Sequence, residues 1–276
     1  GMPERGCELK RLAHGAGALL VEDSAQWFPV GQGCPGWYGD YVVLSFGRGK
    51  PLSLLGGGAL LCDDPALYEA IGPAGGVAPP RYGLRFALKL HAYNLLRHPL
   101  LYGLIPGPPF TNLGRTRYRL PQGVAPMAGD SACLLAANVA AAQSRRHSPE
   151  QHYRGWTRRF AAAGVVDLAA ECGFERRALV RYPLLARDGV HCTQLWGRLD
   201  RAGLGASRMY RQVMTRIDGV PGEVRRQGPF PAAEAFAERL LTLPTHSGVG
   251  EAWLRAIGEV LDGAAETPAG DLYQAP

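Results

Sequence analysis

The sequence predicts an α/β fold, with an open-sheet domain over residues 3–145 and a smaller α+β domain with its connecting helix over 146–276. Three observations carry this expectation. Short continuous apolar runs at Ala18–Val21, Tyr41–Phe46 and Gly57–Cys62 are separated by Gly- and Pro-rich segments, as buried strands are. Chemically capable residues stand at the ends of the first two runs, where ligands meet open α/β sheets: Glu22-Asp23 after the first, Ser45 and Lys50 at the second. Beyond about residue 165, strand-like and helical stretches alternate at short spacing.

Taken in order, residues 3–14 read as an amphipathic helix with Leu9, Leu12 and Ala13 on one side, stopped by Gly15 and Gly17. The first strand follows, then a loop over 29–39, the second strand, a triple-glycine turn and the third strand. Asp63-Asp64-Pro65 marks a helix start. Residues 81–105 are basic and apolar together. They predict a helix packed on the body or on a partner subunit, with a membrane-surface helix as the less favoured reading. Asp130 is expected to cap an Ala-rich helix running to about Gln143. Ser148-Pro149-Glu150-Gln151 has the form of a capping box. Ala178–Leu185 reads as a strand, 190–202 as a helix, 205–210 as a strand, Ala232–Leu241 as a helix and 250–262 as the last helix. The tail beyond 263 is expected to fray.

The chain has 276 residues, 46% of them hydrophobic and 20% charged, which is enough for a sizeable core. It contains no apolar run of spanning length and no early signal-like segment, so a cytoplasmic location is expected. Its six cysteines show no Cys-x-x-Cys pair and no zinc spacing with histidine. They read as reduced thiols, and no metal is expected. The net charge is +6, carried almost wholly by arginine, with lysine only at Lys10, Lys50 and Lys89. In such a chain each lysine is a candidate for chemistry, because only its amine can be deprotonated to a nucleophile near neutral pH. The Arg pairs are scattered without interleaved aromatics, which excludes nucleic acid as the expected partner.

The stretch LLVEDSAQWFPVGQG followed by GDYVVLSFGRGKPLSLLGGGALL resembles the cofactor-binding core of the DegT/DnrJ/EryC1/StrS aminotransferases. That family shows a strand ending in Glu-Asp-Ala-Ala-Gln, a strand ending in Ser-Phe-x-x-x-Lys, and a glycine-rich turn into a further strand. Arg117-Tyr-Arg-Leu120 resembles its Asn-Tyr-Arg-Met segment. Phe230-Pro-Ala-Ala-Glu234 with Leu241-Thr-Leu-Pro-Thr-His246 resembles its Pro-x-Ala-Glu and Leu-Ser-Leu-Pro-x-His segments. The resemblance covers most of residues 3–262. It implies fold type I of the pyridoxal-phosphate (PLP) transferases, here a truncated large domain plus the small C-terminal domain.

The resemblance assigns roles that suit the residue types. Lys50 would form the Schiff base and move protons; a lysine amine can do both. Asp23 would hold the pyridine nitrogen protonated, since a carboxylate beside it raises its pKa. Ser45 would donate to the phosphate, and Gln26 would hydrogen-bond the ring oxygen. Arg117 stands where the family has a phosphate-contacting Asn, and it is not isosteric with Asn. Tyr210 and His246 lie in segments that approach substrate in the family.

The resemblance also implies a homodimer, with amino transfer from an amino-acid donor to a keto-sugar nucleotide in polysaccharide biosynthesis. Family members carry well over a hundred residues before the helix that opens this chain. Those residues supply most of the phosphate cup and several strands. A shortened, inactive scaffold, a longer natural protein, or a separate chain supplying that part are the open alternatives. Trp27 and Trp37 are either pocket walls or packing residues, and Gly56–Gly58 reads as a turn near the cofactor rather than a phosphate cradle.

Overall fold

The computed structural model describes residues 6–29, 36–71, 76–81, 83–96, 117–120, 123–143, 149–173, 179–225 and 228–265. Two compact units emerge, Gly1–Arg115 with Leu120–Arg145, and Thr116–Arg119 with Arg146–Pro276.

In the first unit, α1 (Gly6–Gly15) leads to a three-stranded sheet of β1 (Val21–Asp23), β2 (Tyr41–Ser45) and β3 (Gly58–Cys62) in that order. β1 runs parallel to β2, and β3 runs antiparallel to it. The first strand starts later than its apolar run suggests. The Leu20 N–H donates to the Asp40 carboxylate at 2.8 Å instead of entering the ladder, and Leu19 stays 65% exposed. Val42, Leu44, Phe46, Leu52 and Leu54 form the core beneath one face, with Trp37, Met127, Leu134 and Val139 packed against it. α2 (Pro65–Ile71) begins as its Asp-Pro start predicts, the Asp64 side chain accepting from Ala66 N at 3.0 Å.

α3 (Leu84–Leu96) occupies the described part of the basic apolar segment; residues 97–105 lie outside the described residues. The expected Ala-rich helix is corrected. A short helical turn, Gly129–Ala132, precedes α4 (Leu135–Gln143), and Asp130 does not cap it as expected. The Asp130 carboxylate instead accepts from Arg81 N at 2.7 Å. The turn is drawn close to residues 78–80, where a Cβ on Gly129 would collide with the Ala78 carbonyl.

The second unit opens with α5 (Pro149–Arg154) and α6 (Thr157–Ala162); Ser148, the expected N-cap, lies outside the described residues. Its sheet is antiparallel, in the order β4 (Val165–Asp167), β5 (Arg181–Ala186), β6 (Leu240–Pro244). Its longer helices are α7 (Gly189–Arg201), α8 (Pro231–Arg239) and α9 (Glu251–Ala265).

Three sequence expectations change here. β4 falls where no strand was expected. Leu240–Pro244, read as a helix end, is a strand buried along its whole length. Residues 205–210 form no strand; Ser207 and Thr242 exchange one pair of backbone hydrogen bonds, 2.9 and 2.8 Å. Gly205 and Tyr210 take left-handed φ values of 66° and 55°, which stop the ladder from extending. The unit's buried polar centre is Asp167. Its Oδ1 accepts from Ala169 N and Ala170 N, and its Oδ2 accepts from the Tyr182 hydroxyl at 2.6 Å. Burial, then that hydrogen bond, push the Tyr182 phenol far above its usual range.

Candidate functional site

Strand parity decides which side chains share a face. In β2, Val42 and Leu44 are buried in the core, while Tyr41, Val43 and Ser45 alternate to the other face. Register places Asp23 directly beside Val43 across the parallel pair, and Gly58 and Leu60 beside Ser45 and Val43 across the antiparallel pair. Asp23 and Ser45 therefore occupy one face of one sheet, at the carboxyl ends of two parallel strands. That face is open, with Val43 41% and Leu60 43% exposed.

Lys50 approaches Ser45 from the turn after β2. Gly49 takes φ 71°, which bends the chain back, and Lys50 N donates to Gly47 O at 3.4 Å. A Cβ built on Gly47 would lie 3.6 Å from Ser45 Oγ and 3.8 Å from Lys50 Cγ. The hydroxyl and the lysine stem thus converge on the space that glycine leaves vacant. Lys50 is half-buried. The turn that follows is strained: Leu55 is buried at φ 68°, and Gly56 and Gly57 take φ 148° and 85°. Glycine is needed at Gly58 as well, where a Cβ would strike the Leu44 carbonyl.

The loop after β1 is organised by Glu22, which the sequence marked only as half of an acidic pair, with no role of its own. Its Oε2 accepts from Tyr38 N at 2.8 Å and Gly39 N at 2.9 Å, and its Oε1 accepts from Ser24 Oγ at 2.8 Å. The acidic pair Glu22-Asp23 is the available signal, since adjacent strand residues point to opposite faces and so divide two jobs. Asp23 Oδ1 accepts from Ala25 N at 3.0 Å, and Oδ2 makes no hydrogen bond among the described residues. Gln26 is half-buried in the same turn. Trp27 is a packing residue, 6% exposed, edge-on to Trp37 at 6.5 Å. The crevice between Trp27, Phe28, Leu44 and Leu52 has no volume that a water molecule could occupy.

Arg117, Tyr210 and His246 belong to the second unit. Arg117 forms a backbone bridge with Asp218, and the Tyr118 N–H donates to Asp218 O at 2.8 Å. Tyr210 is 60% exposed. His246 Nδ1 accepts from Gly248 N at 3.2 Å, and its ring meets Trp253 edge-on at 6.0 Å. No group of three metal-ligating side chains occurs among the described residues, and no described helix is long and apolar enough to cross a membrane.

No family model matches the chain, and no curated protein matches it. Solved structures do. A DegT DnrJ EryC1 StrS aminotransferase from Brucella abortus superposes with TM-score 0.60 at 18% identity, covering 97% of this chain and 62% of its own. DesV of S. venezuelae, solved with a ketimine intermediate, gives TM-score 0.59 at 18% identity, with coverages of 97% and 63%. NtdA from Bacillus subtilis, with bound cofactor PMP, gives TM-score 0.60 at 12% identity, with coverages of 97% and 55%. The chain therefore has the fold of these aminotransferases and spans about three-fifths of their length.

Proposed function

We propose that this chain carries the lysine-bearing part of a PLP-dependent aminotransferase acting on keto-sugar nucleotides, with Lys50 as the amine that holds the cofactor. The observation that supports this most is the shared face: Asp23 and Ser45 point to one side of β1–β2, and the Lys50 stem lies against the same glycine-vacated space as Ser45 Oγ. The donor set fits the group. Asp23 Oδ2 would accept from a protonated pyridine nitrogen, Ser45 Oγ would donate to a phosphate oxygen, and Gln26 would bond the ring oxygen. Arg117 would add a cation for the phosphate in a homodimer.

When bound, pyridoxal phosphate supplies an electron sink that stabilises negative charge on a substrate carbon. The chain's own residues do the rest. Lys50 Nζ takes the proton from the carbon bearing the donor's amino group and returns a proton to the acceptor sugar's former keto carbon. Asp23 would hold a proton on the pyridine nitrogen of the bound cofactor. Tyr210 and His246 are the candidates for contact with the sugar.

The test is absorbance on mixing purified protein with pyridoxal phosphate. A band distinct from that of the free aldehyde is expected, lost in Lys50→Ala and weakened in Asp23→Asn. Wild-type protein that leaves the spectrum of the free aldehyde unchanged would refute the assignment and mark the chain as a non-catalytic scaffold.

A further inference from the structure

The first unit has a second outward apolar surface, on α3. At 100° per residue, Leu84, Leu88 and Leu95 fall within about 40° of arc, with His91 beside them. These leucines are 75%, 58% and 61% exposed. The opposite arc carries Phe86, Leu90 and Tyr93, all half-buried. That inner side docks on the turn after Lys50: the Tyr93 and Ser53 hydroxyls lie 3.4 Å apart, and Lys89 Nζ donates to Leu55 O at 3.4 Å. The helix is thus apolar on two sides, and among the described residues only the inner side is accounted for by packing.

Charge singles out what covers the outer side. From Ala70 to Gly129 the sequence contains seven Arg or Lys and no Asp or Glu. The remaining chain holds 23 basic and 24 acidic residues. Of the seven cations, Arg117 and Arg119 belong to the second unit, and the described ones on or beside α3 are Arg81, Arg85 and Lys89. Arg81 and Arg85 are exposed beside the leucine stripe. The acid that approaches this end of the helix is Asp130, through the Arg81 backbone N–H. A stripe of exposed leucines flanked by arginine, in a segment without a carboxylate, is complementary to an anionic lipid surface: hydrocarbon meets the acyl boundary while guanidinium meets phosphate.

We infer that α3 is a membrane-surface helix that seats Leu84, Leu88 and Leu95 in the headgroup boundary of an anionic bilayer. The sequence expectation favoured packing on the body or on a partner subunit, with the membrane surface as the less favoured reading; the inference is independent of the cofactor assignment.

The experiment is co-sedimentation of the full chain with vesicles of phosphatidylcholine alone, and of equal parts phosphatidylcholine and phosphatidylglycerol. Binding is expected to the mixed vesicles only, falling steeply when salt is raised to about 0.5 M. Leu88→Glu with Leu95→Glu should lower partition at least about tenfold. Arg85→Gln, which leaves the apolar stripe and its packing intact, should lower it roughly fivefold. Circular dichroism of each variant separates lost binding from lost folding, and Arg85→Gln keeps the test decisive if the double variant unfolds. Absence of binding to the mixed vesicles overturns the inference, as does equal binding to neutral ones. A folded Leu88→Glu, Leu95→Glu protein that binds like wild type also overturns it, and would place any association with lipid elsewhere on the chain.

Discussion

Glu22 is the residue on which the geometry of the candidate site most depends, and Glu22→Ala is the perturbation that tests it. The carboxylate satisfies three donors at once, two of them backbone N–H groups of Tyr38 and Gly39. Hydrogen bonds to charged groups contribute about 1.5–3 kcal/mol each when protected from water. Here the carboxylate is half-buried, so water replaces part of what is lost, and the sum is better set at about 2–3 kcal/mol. Glu22→Gln keeps one carbonyl oxygen for the two N–H groups, and the Ser24 hydroxyl can rotate to accept from the new amide. That variant should cost about 1 kcal/mol or less.

Urea unfolding followed by circular dichroism reads both values, and the pyridoxal-phosphate absorbance reads the effect on Asp23, one residue away. Glu22→Ala should weaken the absorbance change more than Glu22→Gln does. The reasoning is refuted if Glu22→Ala stays within about 0.5 kcal/mol of wild type, or if the two variants are equally damaging.

Three further outcomes follow from particular contacts. Gly39→Ala should destabilise by about 1–3 kcal/mol, because its Cβ would lie 2.7 Å from Glu22 Cβ and 2.8 Å from Tyr41 O, with backbone on one side; unfolding midpoints in urea check it. Tyr182→Phe should cost about 1.5–3 kcal/mol by leaving Asp167 Oδ2 buried without its 2.6 Å donor. In an Asp167→Asn background that cost should be smaller in a double-mutant cycle, because a neutral amide left without its donor costs less than a buried carboxylate. The Leu20 N–H, then His14 and Lys10, hold the Asp40 carboxyl well below the usual range. A depressed carboxyl contributes stability above its unfolded pKa of about 4 and loses it as pH falls below that value. Asp40→Asn should therefore flatten the acid limb of a stability–pH profile.

The residues of the candidate site stand out in the sequence by type, and the reason is physical. Asp23, Ser45 and Lys50 are marked by residue type at strand ends, and chemistry restricts those types sharply. Helix starts at Pro65 and Pro149 were equally plain, because proline at the first turn has few other meanings. Element identity failed where local signals were silent. Leu240–Pro244 is an apolar run that suits a helix end as well as a strand, and only pairing with β5 decides it. Asp130 looks like a cap by type, yet its carboxylate is taken by a backbone N–H forty-nine residues away in the chain. Long-range partners of this kind leave no trace in a window of local sequence.

Parity is the step that turns the motif into a site. A one-residue slip between β1 and β2 would send Asp23 to the core face and Glu22 to the open one. Two features exclude that slip. Glu22 is anchored beneath the sheet by three donors, and Val42 and Leu44 must stay in the hydrocarbon core, 3% and 6% exposed. The same burial that fixes the core thus aims the carboxylate and the hydroxyl outward together. A buried charge on the core face, which the slipped register would require, would cost several kcal/mol without a partner. Asp23 faces the open side because Glu22, with Val42 and Leu44 of β2, leaves it no other place to point.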